Sequence, residues 1–223
     1  MAHIPHTWAQ IGEHIADGSY RSRYIVGDTK LLDIKIDGKR TTIEMQIAAF
    51  DEDTLFDTGV KAPITWISKD FIAVYEMNPT LSNKGGWMLS NMRKYCMALY
   101  NNILDEDAQE LIKPVRKTSY HYETNSSHTT KDYCWIPSMF EVFGGEYVDE
   151  TGPKYTSLFR HDKARRKWDD AGHPKWWWLR SASVDYEGDD YNIYFCCVNM
   201  YGESRHSCAD SSGGVVFGFC TSI

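Results

Sequence analysis

Residues 176–220 read "WWWLRSASVDYEGDDYNIYFCCVNMYGESRHSCADSSGGVVFGFC". Two strongly apolar ends enclose a middle built of Tyr, Asn, Asp, Ser, Cys, His and Gly, and 191–214 contain no Lys, Gln, Pro or Trp. The ends have the composition of buried strands, over 176–181 and 214–220. Trp176, Trp177, Trp178, Leu179, Val215, Phe217 and Phe219 carry large apolar area, and burying each contributes roughly 1.5–3 kcal/mol. The middle holds a strand of its own at about 191–199, where Ile193, Phe195 and Cys197 alternate with Asn192, Tyr194, Cys196 and Val198. Such alternation sends one face to a core and the other to solvent. In the loops around it, Tyr supplies rigid amphipathic area, while Ser, Asn and Gly supply adaptable hydrogen bonding. The expectation is a scaffold fixed by its flanks with a recognition surface over about 183–212. Its candidate contacts are Tyr186, Asp189, Asp190, Tyr191, Asn192, Tyr194, Asn199, Tyr201, Ser204, Arg205, His206 and Asp210, with Tyr and Arg as anchors. The plainer reading is a set of ordinary solvated loops. Arg180, set among apolar neighbours, is expected to pair with a carboxylate or cap carbonyls.

Working outward, residues 6–18 predict a short helix, with Trp8, Ile11 and Ile15 on one face and Gly18 as its stop. Leu32, Ile34 and Ile36, then Ile43, Met45 and Ile47, alternate about Asp37-Gly38, a β-hairpin signal. "ITWISKDFIAVYEM" continues as strand-like text. After Gly85-Gly86 the period changes to three and four, predicting a helix over about 89–103. "DEDAQELI" predicts a second helix, ended by Pro114. "SYHYETNSSHTTKD" reads as a polar loop or hairpin tip and "YCWIP" as strand-like. Ser138 and Glu141 form a capping box for a short helix closed by Gly144. "HDKARRKWDDAGHPK" reads as a linker. With no βαβ rhythm and no repeat, the fold class is α+β, mainly antiparallel strands with two or more helices, in a single domain over 1–223.

The chain's 223 residues, 42% hydrophobic and 14% aromatic, specify a globular protein with a sizeable core. A net charge of −7 argues against a nucleic-acid or anionic-membrane partner. No apolar run approaches the roughly 20 residues that span a bilayer. The N-terminus "MAHIPHTWAQIGEHIADG" has no basic segment followed by an apolar one, so no signal peptide is expected, favouring a virion component or a cytoplasmic protein. The six cysteines form no C-x-x-C pair, which reads as free, buried thiols.

Several segments, in order along nearly the whole chain, carry a family resemblance. They are Val26-Gly27-Asp28-Thr29-Lys30; Gly85, Gly86, Trp87, Ser90, Met92 and Arg93; "IKPV" at 112–115; Trp135–Gly144; "WWLRS" at 177–181; and "GVVFGFC" at 214–220. Together they resemble a family common in gut bacteria and their prophages, whose C-terminal domain is similar to the C-type lectin fold. Some members are variable proteins of diversity-generating retroelements, in which adenine-directed mutagenesis rewrites a C-terminal region on a fixed scaffold. The resemblance implies a C-type-lectin-like fold, no cofactor, and a protein or glycan ligand at a variable face. It leaves homo-oligomerisation open. An AAY codon rewritten at its adenines yields residues such as Tyr, Asn, Asp, Ser, Cys, His and Gly, and never Lys, Gln, Glu, Met or Trp. Residues 191–214 are rich in the first set, while Glu187, Met200 and Glu203 depart from it.

Other chemistries find less support. The Glu-Pro-Asn and Trp-Asn-Asp signatures of calcium-dependent sugar binding are missing, and "DYEGDD" lacks EF-hand spacing. His3, His6 and His14 read as a solvated terminus and not as metal ligands. No Gly-x-Ser-x-Gly elbow accompanies His121 and His128. The alternative function is a cysteine-dependent oxidase of the formylglycine-generating type, using Cys196, Cys197, Cys208 or Cys220. A catalytic thiol needs its pKa depressed by a cationic neighbour or a helix N-terminus, and only Arg205 and His206 are near in sequence. As neighbours on a strand, Cys196 and Cys197 would also face opposite ways.

Overall fold

The computed structural model describes residues 2–121, 124, 126–145, 147, 150–183 and 192–223. Helix α1 (Trp8–Ala16) opens on a capping box between Thr7 and Gln10, and Trp8, Ile11 and Ile15 are its buried residues. A one-turn α2 (Tyr20–Arg23) follows. β1 (Thr29–Ile36) and β2 (Lys39–Phe50) form the expected hairpin. Asp37 and Gly38, at φ 49° and 78°, occupy its two-residue turn, the left-handed pair that matches strand twist. The strand-like run after it divides into β3 (Ile64–Ser68) and β4 (Ala73–Tyr75). Next come α3 (Gly86–Leu89), α4 (Asn91–Asn102), capped by Ser90, and α5 (Glu106–Leu111). β5 (Ile112–Lys113) leads to a hairpin of β6 (Val115–His121) and β7 (Ser126–Asp132). "YCWIP" is no strand; only Trp135 bridges, to Gly218. α6 (Met139–Phe143) has its capping box and ends on Gly144 at φ 73°. The expected linker is structured instead: α7 (Asp162–Arg165), then a small hairpin of β8 (Lys167–Trp168) and β9 (Pro174–Lys175). Lys167 anchors it, fully buried, donating to the carbonyls of Ser68 and Lys69. β10 (Trp177–Ala182), β11 (Tyr194–Val198), β12 (Ser204–Cys208), β13 (Gly213–Val215) and β14 (Gly218–Thr221) complete an α+β chain. None of the described helices is long and apolar enough to cross a membrane.

The strands form two five-stranded sheets, β1-β2-β3-β14-β5 and β12-β11-β10-β13-β4, in which only β10 and β13 pair in parallel. The C-terminal apolar segment, read as one strand, is two: β13 serves one sheet and β14 the other. Val216 and Phe217 connect them, and both are buried. β10 is buried on both faces. Trp178 enters a core cluster with Trp8, Trp66, Phe195 and Phe219, while Trp177 and Leu179 enter a second with Phe159, Val198 and Val216. The tryptophan run thus feeds two cores, because successive strand residues face opposite ways. The Gly-Gly-Trp segment is structural too. Trp87 Nε1 (2.8 Å) and Arg93 Nε (2.7 Å) both donate to the carboxylate of Asp132, which is fully buried.

A buried ionic network ties these layers together. Lys117 Nζ on β6 donates to Asp53 Oδ1 (2.6 Å), Glu141 Oε1 (2.9 Å) and Tyr155 Oη (2.8 Å), and lies 3.8 Å from the centre of the Trp135 ring. Arg180 on β10 grips both oxygens of Glu141 and donates to Ser119 Oγ and the Ile136 carbonyl. Arg180 therefore does pair with a carboxylate and cap carbonyls, as its setting predicted. Asp53 also accepts from Thr65 Oγ1 and Tyr155 Oη. Two cations thus face two carboxylates: burial alone would raise the Glu141 carboxyl, but the pull of Arg180 and Lys117 outweighs it and holds the group below the ordinary carboxylate range. Removing one member leaves an uncompensated buried charge, a loss of about 3–5 kcal/mol. Arg180→Met is expected to lose that much in denaturant unfolding. Adding Glu141→Gln should cost less than the sum of the single changes, since Lys117 and Asp53 then balance each other.

Glu150 is a third acid at the edge of this network. It is buried and accepts from Ser181 Oγ at 2.7 Å. Burial pushes its carboxyl up to about 7, against the opposing pull of Arg180 and Ser181. The folded chain therefore holds this proton at a pH where the unfolded chain has released it. The resulting stability is full below the ordinary value of 4.5 and is lost as the pH rises through 7. Across that window the wild type is expected to lose about 3 kcal/mol relative to Glu150→Gln. Urea unfolding of both proteins as a function of pH checks this, and a pH-independent difference would refute it.

Candidate functional site

The site is built from β11 outward. Phe195 and Cys197 enter the first core and Cys196 and Val198 the second, so β11 is covered on both faces. β12 pairs with it in the register Tyr194↔Cys208 to Val198↔Ser204 and forms the sheet edge. The sequence reading missed this strand because "SRHSC" contains no apolar alternation. The far end of the β11–β12 pair is stitched to the loop after β4. Asn83 N donates to the Asn192 carbonyl, Asn83 Nδ2 to the Tyr194 carbonyl, and Asn78 N to the Ala209 carbonyl.

The hairpin tip is rigidly specified. Asn199 Oδ1 accepts from the amides of Tyr201 (2.9 Å) and Glu203 (3.0 Å), and Asn199 N donates to the Glu203 carbonyl. Gly202 has φ 88°, and a Cβ there would run into the Asp162 carbonyl of α7. Arg165 and Arg166 donate to the carbonyls of Gly202 and Tyr201. The turn therefore needs a left-handed residue with no side chain, which only glycine provides without strain.

Of the twelve expected contacts, Tyr186, Asp189, Asp190 and Tyr191 lie outside the described residues, as does the acidic "DYEGDD" loop. Asn192, Tyr201, Arg205, His206 and Asp210 are exposed, and Tyr194, Asn199 and Ser204 are half-buried. These eight do not share one flat face. Tyr194 and His206 stack edge to face, with ring centres 5.3 Å apart. Arg205, adjacent to His206 on the strand, points to the opposite side and pairs with Glu203 at 2.9 Å. Asn199 holds the turn, and the Ser204 hydroxyl lies 3.5 Å from Met139 Sδ. The candidates thus rim a hairpin, with Tyr201 at the tip, 59% exposed.

The thiols sit differently. Cys196 and Cys197 face opposite cores, as strand alternation requires. Burial pushes Cys197 up to about 12 despite Arg205, and it also raises Cys96, Cys134 and Cys220. Cys196 Sγ lies 3.0 Å from the Tyr147 hydroxyl, which donates to the Ala182 carbonyl. Such thiols pack as small apolar groups and are poor nucleophiles. The sequence reading did not single out Asp53, Lys117 or Glu150; their only signal is burial, which no local pattern reveals.

No curated protein and no solved structure matches the chain. A protein-family model described as a domain of unknown function, DUF6273, matches residues 64–220, from the first residue of β3 into β14. That span contains the ionic network apart from Asp53, both C-terminal sheet connections and the whole β11–β12 hairpin. The chain belongs to the DUF6273 family.

Proposed function

We propose that this protein is a ligand-binding display protein on a C-type-lectin-like scaffold. Its region of about 183–212 is diversified, in the manner of retroelement variable proteins, to recognise changing protein or glycan targets. It acts without a cofactor, as a virion component or in the cytoplasm. The observation that carries this reading is the contrast in burial between neighbours. Trp177, Trp178, Leu179, Phe195, Phe217 and Phe219 are fully buried, while none of the eight described contact candidates is. Side chains that hold no part of the core can be exchanged without unfolding it, which a diversified surface requires. Tyr201 and Arg205 are the expected anchors, with Asn192, Tyr194, His206 and Asp210 adjusting the fit. The burial that raises the Cys197 and Cys220 thiols, and the opposite orientations of Cys196 and Cys197, speak against oxidase chemistry at those three cysteines.

Two measurements test the reading. Tyr201→Ala, Arg205→Ala and His206→Ala should each change unfolding free energy by no more than about 0.5 kcal/mol, whereas Trp178→Ala should cost about 3–5 kcal/mol. Comparable losses at the rim would end the proposal. The genomic locus should hold a near-identical repeat of the segment encoding 176–223 beside a reverse-transcriptase gene, with clones differing at Tyr, Asn and Ser codons inside 183–212 alone. Identical clones at a locus with no such repeat would exclude diversification.

A further inference from the structure

Far from the hairpin, three side chains converge on one point beside α1. His14 Nδ1 lies 2.7 Å from Tyr24 Oη, and His6 Nδ1 lies 3.3 Å from the same oxygen. The two imidazole rings are 4.8 Å apart and nearly perpendicular, and each is 5.8 Å from the Tyr24 ring. The sequence reading treated His3, His6 and His14 as a solvated, extended terminus with no Cys or acid nearby. The fold instead brings His6 and His14 together on Tyr24, which closes α2.

Local structure fixes all three donors. His6 immediately precedes Thr7, whose capping box sets the start of α1. His14 sits in the second turn of that helix. Tyr24 is buried, and its amide donates to the Tyr20 carbonyl. Arg23, whose positive charge acts on both His14 and Tyr24, donates its Nε to Ser19 Oγ at 2.9 Å. Both histidine side chains are half-buried, leaving the cluster open to solvent.

A single phenol proton cannot serve two imidazoles as acceptors, so hydrogen bonding alone demands that the rings take different tautomers. A metal ion makes no such demand. Zn²⁺ takes imidazole nitrogen at about 2.0–2.1 Å and anionic oxygen at about 2.0–2.2 Å, with tetrahedral ligand atoms about 3.3 Å apart. The His6–Tyr24 separation already has this value, and the His14–Tyr24 gap needs to open by only about half an ångström. We propose that His6, His14 and Tyr24 form a three-ligand site for a divalent first-row transition ion of the Zn²⁺ type. The fourth position is open to water or an incoming ligand. Coordination releases the Tyr24 proton to the solvent and leaves a phenolate oxygen on the ion.

The test uses the full chain carrying His3→Ala, which removes the exposed terminal imidazole. Zn²⁺ is titrated by calorimetry and Co²⁺ by visible absorption. One equivalent of Co²⁺ should bind, with the intense d–d bands of a four-coordinate centre. His6→Ala and His14→Ala should each weaken Zn²⁺ affinity by tenfold or more. Tyr24→Phe, which keeps the ring packed, should shift the Co²⁺ bands and weaken binding less. Circular dichroism confirms that each variant is folded. Micromolar Zn²⁺ failing to bind folded protein, or affinity unchanged in both His variants, would overturn the assignment.

Discussion

The carboxylate of Glu141 is shared by two buried cations, and the architecture depends on that sharing. Taking an ion out of water costs several kcal/mol even after relaxation, so a buried ionic group persists only in a geometry that satisfies it almost completely. Glu141 meets this condition three times over. It closes the capping box of α6, receives Lys117 from β6 and takes both arms of Arg180 from β10. Asp53 and Tyr155 complete the shell around Lys117. A one-residue slip of β10 would turn Arg180 to the opposite face and strand two charges in an apolar interior. The network therefore acts on register more than on net stability. It fixes the strand from which the polar segment leaves the core.

That constraint explains how a hydrophilic hairpin can be carried so close to the centre of the molecule. β11 is buried on both sides, yet it is covered by β10 on one edge and by β12 on the other. Of these three strands β12 is the one at the sheet edge, and its residues hold little of the core. An exposed edge strand is a template for unwanted pairing unless it is short or charged. β12 is five residues long and carries Arg205 and His206. The features that suit it to recognition also protect it from aggregation. The tip is anchored through backbone carbonyls, by Arg165 and Arg166, so the side chains at Met200 and Tyr201 have no part in holding it. Asn199 is the exception: its amide oxygen builds the turn, so it belongs to the scaffold despite its polar character and position.

Local chemistry was legible in the chain; long-range pairing was not. The Asp37-Gly38 hairpin, the Ser138–Glu141 capping box and the amphipathic α1 each follow from neighbours within a few residues. Arg180 announced its need for a partner by its apolar setting, but that partner lies 39 residues away, and no spacing rule reaches so far. The segment 214–220 misled for a related reason. A strand that crosses from one sheet to the other stays apolar throughout, so its composition conceals the break at Val216 and Phe217. Lys167 reads as part of a solvated linker because lysine is almost never fully buried; two backbone carbonyls make it so here. On the site, the exposure of Asn192, Tyr201, Arg205, His206 and Asp210 follows their composition, but the solvent face expected of the 191–199 strand does not exist: Cys196 and Val198 enter the second core. The opposite orientations of Arg205 and His206 depend on the existence of β12.

The family match begins at Ile64, and the first strand it includes is buried at every residue from Ile64 to Ser68. Such a strand cannot stand at the edge of a sheet: its outer backbone groups would be unpaired and its apolar surface exposed. In this chain β2 covers it, in the register Met45↔Ser68 to Phe50↔Ile64. Trp8 reinforces the joint, packing its ring 5.1 Å from Trp66 and 6.1 Å from Phe219. Residues before the matched span are thus part of the same core, and α1 is held to it by Trp8, Ile11 and Ile15. The flank of α1 that bears His14 lies outside that core and packs only locally, His14 meeting the Tyr24 hydroxyl at 2.7 Å and the His6 ring. Like β12 at the other sheet's edge, it is a polar surface carried by a helix or strand whose position is already secured by buried residues.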